Sequence, residues 1–367
     1  MAETTISTAN RVKQWDDKAH LEYVRANRFK PYMGTNENAI IQVKEDLTKK
    51  KGDAITLPLV GALDAASGPN DGSSDLVGNE LALPNDGHRI SVSVVRNATL
   101  VNVEEEQASP ISIRNAGKTA LKDLQMRYLR NDIITALGSI DGTAYGSATA
   151  GAKNDWQDNN SDRVLFGSEK ANFTAGDHAA SLANIDATDD KLTHGVVSLL
   201  KRMAQTATNV NGDGIRPVRY GQDNEMFVMF VGSLAFRDLR EDMISNGYWQ
   251  DALQRTKSNP LFSGPTSIEW DGVLVREIPE IGVISAAGAG TPAIDVAPVY
   301  LCGSQALGAA WAMRTKTTTR KEDDYGFRYG VGFMELRGVE KLQYGQGGSS
   351  AKDWAVATGF VAAVADA

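Results

Sequence analysis

The chain has 367 residues, a formal charge of −8 at pH 7, 42% hydrophobic and 23% charged residues. That length and balance suit a soluble globular protein with a sizeable core, and no apolar run approaches the roughly 20 residues that span a bilayer. The acidic balance argues against a dedicated nucleic-acid binder, which needs a basic surface to displace counterions, so any contact with DNA is expected to be weak and non-specific.

The start, MAETTISTAN, has neither a basic segment nor an apolar stretch of the secretory kind, and the chain is expected to stay in the compartment where it is made. The first forty or so residues are polar, with Trp15, Tyr23, Phe29 and Tyr32 at no clear period, as in an arm that packs on something else. Residues 53–60 alternate, with Ile55, Leu57 and Leu59 on one face of a strand, and Pro58 confines that strand to an edge. A second alternating run covers 89–101.

Between these runs, Gly61 to His88 is too long for an ordinary loop and reads as the tip of a projecting hairpin. It carries Asp64, Asp71, Asp75, Glu80 and Asp86 without a lysine or arginine. A solvated loop and an acidic contact surface are both consistent with that composition. The basic run Lys49, Lys50 and Lys51 and the arm residues Arg25 and Arg28 are the candidate cationic partners of the tip in a neighbouring copy.

From Ile113 to Leu137 the apolar spacing becomes helical, with Leu121, Leu124, Ile133 and Leu137 on one stripe. Residues 139–190 read as loop-dominated. Asp189 is a plausible N-cap for a second helix through Leu192, Val196, Leu200 and Met203. Residues 215–242 read as strand, turn, buried strand (226–231) and a helix capped by Ser233 with Phe236, Leu239, Met243 and Ile244 inward. An Asp271-Gly272 turn opens the next strand. VYLCGSQALGAAWAM reads as a strand entering a short helix, and FRYGVGFMEL as a strand.

Catalytic and metal motifs are lacking. His20, His88, His178 and His194 share no close spacing with one another or with a cysteine, and there is no phosphate-binding glycine loop or nucleophile elbow. The oxygen-rich run Asn209 to Gly214 has Tyr220 where a calcium loop needs a bidentate glutamate, so it reads as a polar turn. The acidic pairs Asp189-Asp190, Glu241-Asp242 and Asp323-Asp324 read as solvated faces. The single Cys302, in an apolar stretch, reads as a buried inert thiol. No enzyme activity and no cofactor are expected.

Several segments in succession resemble the major capsid proteins of tailed bacteriophages, in particular the large podovirus-type branch: GDAITLPLVGAL (52–63), HRISVSVVRNATLV (88–101), RNAGKTALKDLQMRYLRNDIITALG (114–138), 215–242, NPLFSG with WDGVLVREIPEI, YLCGSQALGAAWAM (300–313) and FRYGVGFMELRGVEKL (327–342). The resemblance implies an α+β protein of the Hong Kong 97-type capsid fold. Its expected parts are an N-terminal arm (1–47), an extended E-loop hairpin (48–105), a peripheral domain with a long spine helix (106–140), a loop-rich insertion (141–188), an axial domain (189–312), and return strands with a C-terminal tail (313–367). It implies hexamers and pentamers in an icosahedral shell around double-stranded DNA. Expected partners are a portal protein at one vertex, a separate scaffolding protein because the E-loop begins by about residue 50, and a decoration or cement protein. Assembly is expected in the bacterial cytoplasm, without membrane contact. The tip has no lysine for the covalent cross-link found in some such shells. The shell protein of a bacterial nanocompartment and a soluble enzyme or binding protein are the competing readings.

Overall fold

The computed structural model describes residues 25–45, 52–65, 68, 69, 72, 75–109, 111–220, 224–249 and 267–366. In chain order the strands are β1 (Met33–Gly34), β2 (Ile41–Lys44), β3 (Ala54–Val60), β4 (Asn85–Ser91), β5 (Ser93–Asn102), β6 (Val164–Phe166), β7 (Val218–Tyr220), β8 (Asn224–Val231), β9 (Ser267–Trp270), β10 (Val273–Glu277), β11 (Val296–Cys302), β12 (Leu307–Asp323), β13 (Arg328–Lys341), β14 (Gln343–Tyr344), β15 (Lys352–Asp353) and β16 (Val356–Ala362). The helices are α1 (Val103–Ala108), α2 (Ile113–Leu137), α3 (Ala150–Asn159), α4 (His178–Ala183), α5 (His194–Thr206) and α6 (Ser233–Ser245).

These elements form two compact units. The smaller contains 94–129 and 313–336, and the larger contains 28–93, 130–312 and 337–367. The helix α2 and the strands β12 and β13 each begin in one unit and end in the other.

The larger unit is built on a seven-stranded sheet of order β6-β16-β11-β8-β10-β9, with β7 beside β8. Its centre is buried on both faces: all seven residues of β11 and of β16 are buried, as is the run Met226 to Val231 of β8. Such strands are continuously apolar rather than alternating. The Asp271-Gly272 turn joins β9 to β10, with Trp270 opposite Val273. Both turn residues have positive φ, 47° and 70°, as a two-residue hairpin of matching twist requires. The inner stripe of α5, Val196, Leu200 and Met203, lies against the sheet. A Cβ at Gly359 would stand 2.8 Å from Val299 and 3.1 Å from Leu200, so glycine there permits the close approach.

A second core cluster gathers Trp156, Val164, Phe166, Leu182, Val296 and Phe360, with Phe166 and Phe360 stacked at 5.2 Å. The stretch 139–190, expected to be loop-dominated, thus also supplies α3, α4 and β6 to this core. In the smaller unit β13 lies between β5 and β12, and α2 covers one face through Leu121, Val331 and Phe333.

Several expectations need correction. Thr193, not Asp189, caps α5, accepting from the Val196 amide. Gly232 occupies the N-cap of α6, so Ser233 is its first residue and not its cap. Ile244 faces outward at 53% exposure. Leu124 on α2 is only half-buried, whereas Leu121 and Ile133 are buried. The segment LGAAWAM is strand: it starts β12, whose first residues pair in parallel with β2, Leu307 opposite Ile41. Phe29 and Tyr32, expected on an arm, pack edge-on against Phe230 at 5.0 and 5.2 Å in the core of the larger unit. Trp15 and Tyr23 lie outside the described residues.

Candidate assembly interface

The hairpin of β3 and β4 has a buried base and an exposed tip. Alternation puts Ile55, Leu57 and Leu59 of β3 and Ile90 of β4 into one cluster with Ala310 and Leu342. The strands pair antiparallel from Ala54 opposite Ser91 to Val60 opposite Asn85, and in this two-stranded sheet Pro58 lies on an edge strand, as expected.

The other edge, along β4, is closed by side chains. Gln346 accepts from the Arg89 amide at 2.7 Å and donates to the Arg89 carbonyl at 3.0 Å, so one carboxamide stands in for a strand residue. Glu340 accepts from the Ser91 amide at 2.9 Å. Asp86 accepts from the Gly345 amide. His88 is buried, and its Nδ1 accepts from the Gln343 amide at 3.2 Å, which leaves the ring proton on Nε2, 3.4 Å from Glu340. The β4 edge is thereby closed to further strand pairing, and Pro58 leaves the β3 edge one donor short.

The tip contrasts with this base. Leu63, Leu76, Val77, Leu81 and Leu83 are all exposed, Leu76 at 66% and Val77 at 86%. In the sequence this loop shows only its acids, because scattered leucines among glycines carry no periodic signal.

Of the candidate contact residues, Asp64, Asp75 and Glu80 are exposed on this tip, and Glu80 accepts from the Gly78 amide at 2.8 Å. Asp86 belongs instead to the hairpin base. Arg28 donates to the Glu277 carbonyl at 2.6 Å and lies 3.7 Å from the Glu277 carboxylate, so it is engaged within its own chain. Arg25 is described and exposed. Lys49, Lys50, Lys51 and Asp71 lie outside the described residues.

The remaining polar groups build structure. A buried network surrounds Asp353, which accepts from Lys341 Nζ at 2.7 Å, Trp156 Nε1 at 3.0 Å and Gln343 Nε2 at 3.0 Å. Arg163, fully buried, joins it by donating to the Asp353 carbonyl, to Asn209 and to Asp162. Asp162 is held down to about 2: burial opposes ionisation, but hydrogen bonds and charge from Arg163 and Lys352 prevail. Asn209, the first residue of the polar turn, also donates to the Trp354 carbonyl at 2.9 Å.

Two acids expected on solvated faces do inward work. Asp190 is buried and accepts from the Ser168 and Asp186 amides at 2.7 and 2.9 Å. Asp242 accepts from the His194 amide at 2.8 Å and pairs with its ring at 2.6 Å. His178 sits between Tyr145, 2.7 Å away, and Gln157, and burial, with Lys153 nearby, lowers its pKa to about 4. Burial raises the Cys302 thiol well above its ordinary value. Among the described residues no group of three or more His, Cys, Asp or Glu could hold a metal, and no helix is long and apolar enough to cross a membrane.

An exposed hairpin tip on a rigid base is suited to contact another protein surface. The sequence profile of a family described as phage capsid protein matches residues 3–365. Among solved structures the chain is similar to the capsid asymmetric unit of cyanophage Pam1, with 34% identity, full coverage of both chains and a TM-score of 0.86. It is also similar to the capsid of Ralstonia phage GP4, with 19% identity, full coverage of both and a TM-score of 0.79. The head structure of Helicobacter pylori bacteriophage KHP40 shares 13% identity over 97% of this chain and 96% of that one, with a TM-score of 0.65. No curated protein matches. Profile, identity and fold agree over the whole length, and the chain belongs to the phage capsid protein family, a structural component of the bacteriophage shell with the Hong Kong 97-type fold.

Proposed function

We propose that this chain is a major capsid subunit that assembles into hexamers and pentamers of an icosahedral shell around double-stranded DNA, and that the β3–β4 hairpin is its principal contact between copies. The observation that carries the reading is the hairpin's division into a base packed on Ala310 and Leu342 and a tip whose Leu76 and Val77 have no apolar cover. Exposed apolar groups concentrated on one projection mark an interaction site. A portal at one vertex, a separate scaffolding protein, a decoration or cement protein and weak non-specific contact with DNA complete the proposed set of partners, with assembly in the host bacterial cytoplasm. The acidic tip residues Asp64, Asp71, Asp75 and Glu80 meet cations of a neighbouring copy.

Replacing 61–84 by a short turn tests the reading. The shortened subunit should fold, as judged by circular dichroism and cooperative unfolding, and should fail to form closed particles in electron micrographs. Normal particles from the shortened chain would refute the hairpin's role.

A further inference from the structure

The larger unit contains a cavity of about 490 Å³ where the last turn of α2, the helix α3, the segment 282–284 and the strands β11 and β16 meet. Its floor is buried and apolar, with Leu137, Trp156 and Phe360 at 3% exposure or less, whereas Gly146 and Val283 at its mouth are exposed. A concave apolar site of this size with a few fixed polar groups is the usual form of a small-molecule pocket.

Two of the polar side chains that line the cavity are satisfied by the fold. Lys341 is committed to Asp353 at 2.7 Å. The Tyr145 hydroxyl donates to His178 Nε2 at 2.7 Å, because the other ring nitrogen donates to Gln157 Oε1 at 3.2 Å.

Two others are not satisfied in this way. Tyr300 is only 6% exposed, yet its hydroxyl, at the cavity wall, makes no hydrogen bond with a described residue. Burial raises its pKa above the ordinary value, so it stays a neutral donor and acceptor. A Cβ at position 138 would stand 2.7 Å from that oxygen, so glycine just past the end of α2 leaves the space that the hydroxyl occupies. A buried hydroxyl without a partner costs free energy that a ligand group can recover. Lys153 is half-buried, with its ammonium 4.3 Å from the centre of the Tyr145 ring, and it pairs with no carboxylate among the described residues.

We propose that this cavity binds a small amphipathic carboxylate that carries a neutral hydroxyl or carbonyl at its far end. The carboxylate pairs with Lys153, the apolar body lies along the Tyr145, Trp156 and Phe360 rings, and the far group hydrogen-bonds to Tyr300. Desolvation sets this orientation. A carboxylate beside half-buried Lys153 meets a cation and keeps part of its hydration, whereas Tyr300 offers only a neutral hydroxyl in a buried place. The site lies within one unit of a single chain and does not depend on the hairpin's role between copies.

Isothermal titration calorimetry of the full-length chain with ω-hydroxydecanoate, decanoate and decanediol tests the proposal. Saturable binding of ω-hydroxydecanoate at a single site per chain is expected, about fivefold tighter than that of decanoate, as one net hydrogen bond gives. Tyr300→Phe should bind these two equally, and Lys153→Met should bind ω-hydroxydecanoate no better than decanediol. Val283→Trp, a change at an exposed position that fills the mouth, should abolish binding of all three. The assignment is overturned by binding that survives Val283→Trp unchanged, by a hydroxyl preference that persists in Tyr300→Phe, or by a carboxylate preference that persists in Lys153→Met. The absence of saturable ω-hydroxydecanoate binding to the wild-type chain overturns it as well.

Discussion

The hairpin tip and the Asp353 network invert the usual placement of residues in opposite ways. The tip holds Leu76 and Val77 out to solvent, whereas the network holds the side chains of Lys341 and Asp353 inside, each 1% exposed. Buried charge is tolerated where partners fill its hydrogen-bonding capacity, and here Trp156, Gln343 and Lys341 converge on one carboxylate within a single chain. Leu76 and Val77 stay exposed in the single chain. On the proposed function one inversion is resolved by folding and the other by assembly, and the two should respond differently to mutation, pH and salt.

The largest expected effect lies inside. Lys341→Ala leaves the Asp353 carboxylate buried without its cation, and breaking a buried pair in this way costs about 3–5 kcal/mol. Urea unfolding of the unassembled subunit measures it. Leu76→Ser with Val77→Ser should change the same unfolding by less than about 0.5 kcal/mol, as surface changes do, while impairing particle formation. Equal destabilisation by the two variants would erase the distinction between the regions.

Acid separates the regions next. Burial lowers the pKa of His178 to about 4 in the fold from its ordinary 6.5, so the unfolded chain binds the proton more readily. The stability from keeping this imidazole neutral is complete above pH 6.5 and is lost as the pH falls towards 4, in total roughly 3 kcal/mol. Asp162, lowered from 3.8 to about 2, adds a separate loss only between those values. Unfolding midpoints of the subunit between pH 7 and 4 should therefore decline, and His178→Gln should flatten the decline. A decline unchanged in that variant would assign it to other groups.

The smallest effect per contact belongs to the tip. Exposed ion pairs contribute about 0.2–1 kcal/mol each and are screened beyond a Debye length of ~10 Å at 0.1 M salt. A shell repeats them at every subunit contact, so light scattering of heated particles should show lower stability at high salt. Asp64→Asn, Asp71→Asn and Asp75→Asn together should weaken that dependence. Identical salt curves for wild type and the triple variant would return the tip to a solvated loop.

Elements whose signals are local can be read from the amino-acid order alone. The apolar spacing of Leu121, Ile133 and Leu137 places α2 over 113–137, the alternation of Ile55, Leu57 and Leu59 gives β3, and Asp271-Gly272 gives the β9–β10 turn. These patterns are complete within a few residues, and the backbone obeys them wherever the rest of the chain goes. Features that depend on distant partners emerge only when the chain is folded. Ala and Gly in LGAAWAM suit a helix locally, but the edge offered by β2, more than 260 residues earlier, makes that segment a strand. Asp190 reads as a solvated acid until the Ser168 and Asp186 amides converge on it. Lys341 and Asp353 are joined by Trp156 and Arg163, nearly 200 residues away, and no sequence period spans that gap. The α2-free face of β5, β12 and β13 became visible only once α2 was docked, because alternation assigns side chains to two faces and packing alone decides which of them is covered.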